Sequence, residues 1–305
     1  MRNSANTAWR RLFAQQRFAF LTGDLGFMAL ESLRDDMGPM FINAGLAEQN
    51  MVSVAAGMTK TGIETWVYSI APFIYARPFE QIRNDICLNR LPVRLVGNGG
   101  GYAYGPMGPS HHAIEDYGVL LTLQNMTVLV PAFAEDVEPA IRLMSASAQP
   151  GYLRLGRCER PPGFVVPPFS VWRCLVQGGG PLLVAVGPLA GTLLDRIDAM
   201  DRATRPELWV LGEMPLGLNE LPQRIIDRVR DGCIFAIIEE HVAQGSAGHA
   251  LVARLTHLGA APTRLLHFCA AGYPSGNYGS QTFHRQESGL DPATVLACLA
   301  AESAH

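Results

Sequence analysis

Short apolar, strand-like runs alternate with helix-like segments along this chain. Such alternation leaves few folds open. Each strand must reach the next through a helix, which gives a mainly parallel sheet covered on both faces. In the first part the strand runs are 18–22, 40–43, 65–69, 93–97, 127–130 and 152–155, with helices expected over 46–61, 79–89, 113–122 and 134–147. The stretch 160–170 then reads RPPGFVVPPFS. Four prolines in eleven residues cannot feed a helix or a central strand. We place a domain boundary there: a first domain over 1–160, a proline-rich linker over 161–177 and a second domain over 178–305. Beyond it, strands are expected over 182–187, 207–211, 234–239 and 263–268, and helices over 189–200, 223–229, 246–258 and 293–301. Ser246 offers an N-cap and Pro292 stands just before the last helix. The expected class is α/β, as two doubly wound domains with mainly parallel sheets.

Composition narrows the function. The net charge is −3 and no Lys/Arg run stands out, which argues against nucleic acid and anionic membranes as partners. No apolar run approaches the ~20 residues of a spanning helix. The amino terminus carries Arg2, Arg10, Arg11 and Arg17 around short apolar pieces, without the apolar core of a secretory signal. Six cysteines lie far apart with no CxxC pair, which fits a reducing, cytoplasmic setting better than a disulfide framework or a zinc site.

Glu48 stands out by its surroundings. Residues 41–60 read FINAGLAEQNMVSVAAGMTK, so one carboxylate opens an otherwise small and apolar helix, flanked by Gly45, Leu46, Ala47, Val52, Ala55 and Ala56. On these residues alone Glu48 is either a first-turn acid favoured by the helix dipole or a proton donor in a dry pocket. Burial raises the pKa of a carboxyl group and keeps it available as an acid. Further on, 68–85 reads YSIAPFIYARPFEQIRND and 105–131 reads GPMGPSHHAIEDYGVLLTLQNMTVLVP.

Through GLAEQN, FEQIRND, GPSHHAIED, LQNMTVLVPA and YLRLGR, the chain resembles the pyrimidine-binding domain of transketolases. The later stretch AIIEEHVAQGSAGHALV (236–252) resembles that family's carboxy-terminal domain more loosely. The resemblance implies the carboxy-terminal subunit of a split transketolase. Such a subunit transfers a two-carbon ketol or acyl unit from a ketose or 2-oxo acid donor to an acceptor, which could be a carrier thiol.

The family's cofactor is thiamine diphosphate, whose aminopyrimidine must be driven to its imino form by a carboxyl against a ring nitrogen. The resemblance gives that role to Glu48 and places Leu46 beside the ring. It makes Phe73 a stacking aromatic, with plain core packing as the alternative. Two further positions that are often aromatic fall on Ile70 and Ala76, and Tyr75, beside one of them, is expected to compensate. His111 falls on a catalytic, substrate-facing histidine, or else caps the next helix. Arg157 falls on an arginine that grips a sugar phosphate, or forms a surface ion pair. An acidic substrate-reading position falls on Met107 and a histidine position on Gly99, and the phosphate-holding serine falls among 25–29 with no hydroxyl. The pocket therefore reads as less polar than that of a pentose-phosphate enzyme. Glycines 97–101 read as a flexible loop over the site.

The family's Gly-Asp-Gly diphosphate and magnesium signature is missing, since 23–26 reads GDLG. Diphosphate and Mg2+ are thus expected from a separate diphosphate-binding subunit, in an α2β2 heterotetramer. The beta subunit of a 2-oxo acid dehydrogenase-type component is the alternative enzyme reading. A noncatalytic scaffold paralogue is the alternative of another class.

Overall fold

The computed structural model describes residues 1–25, 29–217 and 221–303. Its strands are β1 (Ala19–Thr22), β2 (Phe41–Asn43), β3 (Thr65–Ile70), β4 (Val93–Asn98), β5 (Thr127–Leu129), β6 (Gly151–Leu155), β7 (Trp172–Val176), β8 (Leu182–Val186), β9 (Glu207–Leu211), β10 (Glu213–Met214), β11 (Phe235–Ile238) and β12 (Leu265–Phe268). They form a seven-stranded sheet in the order β10-β5-β6-β4-β3-β1-β2 and a five-stranded sheet in the order β12-β11-β8-β9-β7. All pairings are parallel except β10 with β5 and β7 with β9. Both sheets carry helices, so the fold is α/β with two mainly parallel sheets. Strands β1, β6, β8, β9 and β11 are buried along their whole length, as expected where both faces are covered.

Four elements depart from the sequence expectations. The helix Arg2–Gln15 was hidden by its arginines, yet Ala5, Ala8, Trp9, Leu12 and Phe13 recur at helical spacing and are buried. Trp9 meets Phe20, Trp66 and Tyr68 edge-on at centroid distances of 4.9, 5.9 and 6.0 Å. Within the stretch read as linker, β7 forms and closes the second sheet. After β9 the chain adds β10 to the edge of the first sheet. The helix expected over 113–122 is confined to Asp116–Leu120. Ser246 accepts from the backbone of His249 at 3.1 Å, which makes it the N-cap of Ala247–His257.

Buried polar groups bind the two sheets' units together. Arg154, 4 % exposed, pairs with fully buried Asp116 at 2.8 Å and donates to the carbonyls of Ala113 (2.8 Å) and Glu240 (3.0 Å). Asp116 is therefore half of a buried ion pair, and it also accepts from Tyr152. The Glu240 carboxylate accepts from the Tyr102 backbone, Gln281 and Arg285 at 3.1 Å each. The Glu239 carboxylate accepts from Tyr117, His267 and the Ala247 and Gly248 backbone.

Burial pushes the imidazoles of His112 and His241 below the ordinary histidine range. The unfolded chain therefore takes up protons at pH values where the folded chain leaves both rings neutral. Their contribution is complete above the unfolded value of about 6.5. It declines as pH falls below that value. Denaturant unfolding is expected to show a lower midpoint at pH 5 than at pH 7. Identical midpoints would contradict this assignment.

Candidate functional site

Loops leaving the carboxyl ends of the parallel strands are the usual place for a site in an open α/β sheet. In the first sheet β1, β2, β3, β4 and β6 end at Thr22, Asn43, Ile70, Asn98 and Leu155. The segments just beyond those ends carry Asp24, Glu48, Phe73, Gly99 and Arg157, so the topology delivers residues far apart in sequence to one edge.

Glu48 is the first residue of Glu48–Lys60, a helix whose Met51, Val52, Ala55 and Ala56 are packed into the core. Its carboxylate is 5 % exposed and takes a hydrogen bond from Arg77 Nη1 to Oε1 at 2.8 Å. Oε2 has no partner among the described residues. Arg77 is half exposed, and its guanidinium lies over the Phe73 ring, 3.8 Å from the centroid. Phe73 meets the His111 ring edge-on at 5.2 Å, and His111 lies 6.1 Å from the Tyr104 ring. Ser110 Oγ holds His111 Nδ1 at 2.9 Å. With that contact made, and the next helix starting only at Asp116, His111 does not act as a helix cap.

The remaining expected residues border this chain of contacts. Leu46 is 80 % exposed and Met107 54 % exposed. Ala76 is exposed and Ile70 half-buried. Arg157 forms no ion pair among the described residues; it lines a cleft of about 510 Å3 together with Arg2, Asn98, Gly99, Tyr104 and Cys158. A second cleft, of about 330 Å3, lies at the ends of β1 and β2 and is lined by Thr22, Asp24, Arg34 and Asn43 among others. Asn43 donates to Asp24 at 3.1 Å and accepts from the Gly45 backbone at 2.9 Å, fixing the approach to Glu48. Of the stretch 25–29, residues 26–28 lie outside the described residues.

Two readings are corrected. Tyr75 does not stand in for a missing stacking ring, because it is buried and donates its hydroxyl to Glu115 at 3.1 Å. Glycines 97–101 are not a mobile cover. The backbones of Gly99 and Gly100 both donate to Leu155, and Gly101 pairs with Ala113. These glycines are needed because neighbours crowd the backbone: a Cβ on Gly97 would sit 2.1 Å from the Tyr152 hydroxyl, and one on Gly101 2.7 Å from the Glu240 carboxyl carbon. His112 is buried and bonded to the Gly105 carbonyl (2.9 Å) and the Tyr273 hydroxyl (3.1 Å).

Sequence reasoning missed Arg77, Tyr104, Asn98 and Arg2. Arg77 was within reach, because it follows Phe73 by four positions, about one helical turn, in FIYARPFEQIRND (73–85). Tyr104 lies in an irregular segment, where no periodicity signals direction. Among the described residues, no group of three His, Cys, Asp or Glu side chains is placed to hold a metal ion, and no helix is long and apolar enough to cross a membrane.

The family described as transketolase, pyrimidine binding domain, matches residues 1–161. An apulose-4-phosphate transketolase subunit from Actinobacillus succinogenes is 28% identical over 265 residues, covering 84% of this chain and 82% of that protein. The subunit of the same name from Phocaeicola vulgatus is 32% identical over 143 residues, 47% of this chain and 46% of that protein, so this match spans about half of either. Among solved structures, one described as a split gene transketolase, inactive beta4 tetramer, superposes with a TM-score of 0.80 at 25% identity, covering 98% of this chain and 96% of that one.

Proposed function

Because the chain belongs to the transketolase pyrimidine-binding domain family, we propose that it is the beta-type subunit of a split, thiamine diphosphate-dependent transketolase. It moves a two-carbon ketol or acyl unit from a ketose or 2-oxo acid to an acceptor. The observation that carries this reading is the buried Glu48 carboxylate at the strand ends, with Phe73 joined to it through Arg77. The residues fit the cofactor: Oε2 of Glu48 is open to a ligand donor or acceptor, Phe73 offers a partly exposed ring, and the helix behind is lined with small side chains.

Thiamine diphosphate, when bound, supplies the carbon that attacks the donor's carbonyl and carries the transferred unit. Glu48 holds a proton at its carboxyl for a pyrimidine nitrogen. Arg77 balances the carboxylate in the lone chain, and its half-exposed guanidinium can return to water at small cost. Phe73 packs on the pyrimidine, with Leu46, Ile70 and Ala76 at the rim. His111, its Nδ1 held by Ser110, presents Nε2 for proton exchange with a substrate oxygen. Arg157 takes the anionic end of the substrate, and Met107 and Gly99 leave the wall between less polar.

A separate subunit supplies the diphosphate and Mg2+ ligands in an α2β2 heterotetramer. The solvent exposure of Leu46, two residues before Glu48, supports a covering partner. Six free thiols support a reducing, cytoplasmic setting.

The test is to combine the chain with a diphosphate-binding subunit, thiamine diphosphate and Mg2+, and to assay ketol transfer. Absence of transfer with every ketose and 2-oxo acid donor tried would end the reading, and release of carbon dioxide from a 2-oxo acid without ketol transfer would replace it with the dehydrogenase-type alternative. Phe73→Ala is expected to weaken cofactor binding about tenfold, the scale of one aromatic packing contact. Titration calorimetry checks this, and unchanged affinity would remove Phe73 from the cofactor site.

A further inference from the structure

We infer that Tyr104, oriented by Asn98, is a specificity-determining residue that donates a hydrogen bond to a hydroxyl of a phosphorylated sugar substrate. The inference deepens the proposed transfer function and rests on it for the identity of the ligand class.

Position 99 was expected to face the substrate, yet it offers no side chain. Gly99 has φ +84°, and a Cβ there would lie 2.1 and 2.3 Å from ring carbons of Tyr104. The phenol therefore occupies the space that any side chain at 99 would claim. Asn98 Nδ2 donates to the Tyr104 oxygen at 2.8 Å. That bond uses an oxygen lone pair and fixes the ring, while the phenolic proton has no acceptor among the described residues. A half-buried hydroxyl with one bond received and none given is set to donate to a ligand. The ring lines the cleft shared with Arg2 and Arg157, neither of which is paired with a carboxylate among the described residues. It also neighbours His111, 6.1 Å away. The phenol thus adjoins both the cations suited to a phosphate and the imidazole suited to the reacting carbonyl. A ligand that touches both ends carries hydroxyls between them.

The test uses the complex assembled with its diphosphate-binding subunit, thiamine diphosphate and Mg2+. Ribose 5-phosphate and inorganic phosphate are titrated into wild type and Tyr104→Phe by calorimetry, with melting temperatures to verify folding. Tyr104→Phe is expected to weaken ribose 5-phosphate about tenfold and to leave inorganic phosphate within twofold. Asn98→Ala is expected to move the same ratio by a smaller factor. Equal affinity of wild type and Tyr104→Phe for ribose 5-phosphate would overturn the inference. So would a parallel loss of both ligands, or a wild type that binds the sugar phosphate no better than phosphate. A variant that shifts the binding ratio in a complex without ketol transfer would refute the transfer reading while leaving the phenol's role intact.

Discussion

Glu48→Gln in the reconstituted complex is expected to lower kcat for ketol transfer by about a thousandfold, within the range of roughly 10²–10⁴ for losing a positioned proton donor. The amide matches the carboxyl in shape and keeps a hydrogen bond to a ring nitrogen, but it has no acid proton to give. Folding is expected to change little, because the one ion pair lost is with Arg77, which is 46 % exposed. An exposed partner returns to water, and such pairs contribute about 0–1 kcal/mol. Steady-state kinetics together with a melting curve checks both halves. A Glu48→Gln complex with wild-type kcat would remove Glu48 from the chemistry. The noncatalytic scaffold alternative predicts no activity to lose.

Asp116→Ala is expected to have the largest effect on stability, a cost of about 3–5 kcal/mol, because it strands Arg154 in the interior. Arg154 would keep only the Ala113 and Glu240 carbonyls, and the Tyr152 hydroxyl would lose its acceptor. The expected fall in melting temperature is on the order of 10 °C. Arg160→Ala provides the contrast: Arg160 and its partner Glu135 are each 48 % exposed, and loss of that pair is expected to cost at most about 1 kcal/mol. Thermal unfolding of the two variants against wild type decides the point. Equal shifts would mean that the Asp116–Arg154 pair is no more than a surface contact in energetic terms.

The same pair ties the segment that carries the site to the second unit. Arg154 spans from the sheet to the carbonyl of Ala113 and onward to the second unit through Glu240, while the Glu240 carboxylate receives the Tyr102 backbone. The segment 99–113, which carries Tyr104 and His111, is thus clamped from beneath by a unit that contributes none of the expected site residues.

Sequence patterning revealed the α/β class because strand and helix periods differ sharply, and central strands such as LLVAV (182–186) are apolar on both faces. It missed the first helix because Arg10 and Arg11 interrupt its apolar stripe in the linear text, though not on the folded surface. It missed β7 because WRCLV follows closely on a proline-rich stretch, and only pairing with β9 makes it a strand. Glu48 was legible because a lone carboxylate among small apolar residues is conspicuous in one dimension. Its partner was not, since the contact depends on the turn after β3 bringing Arg77 back across 29 positions. The glycines at 97–101 misled for a related reason. Glycine marks both mobility and close approach, and only the positions of Tyr152, Arg154 and Glu240 distinguish them.

The most direct measurement of Glu48's role is deuterium exchange at the thiazolium carbon of thiamine diphosphate, followed by quenched-flow NMR in the assembled complex. Wild type is predicted to exchange that proton far faster than free cofactor, and Glu48→Gln to fall back to nearly the free rate while still binding the cofactor. Exchange in Glu48→Gln as fast as in wild type would contradict the assignment of the buried carboxyl as the proton donor.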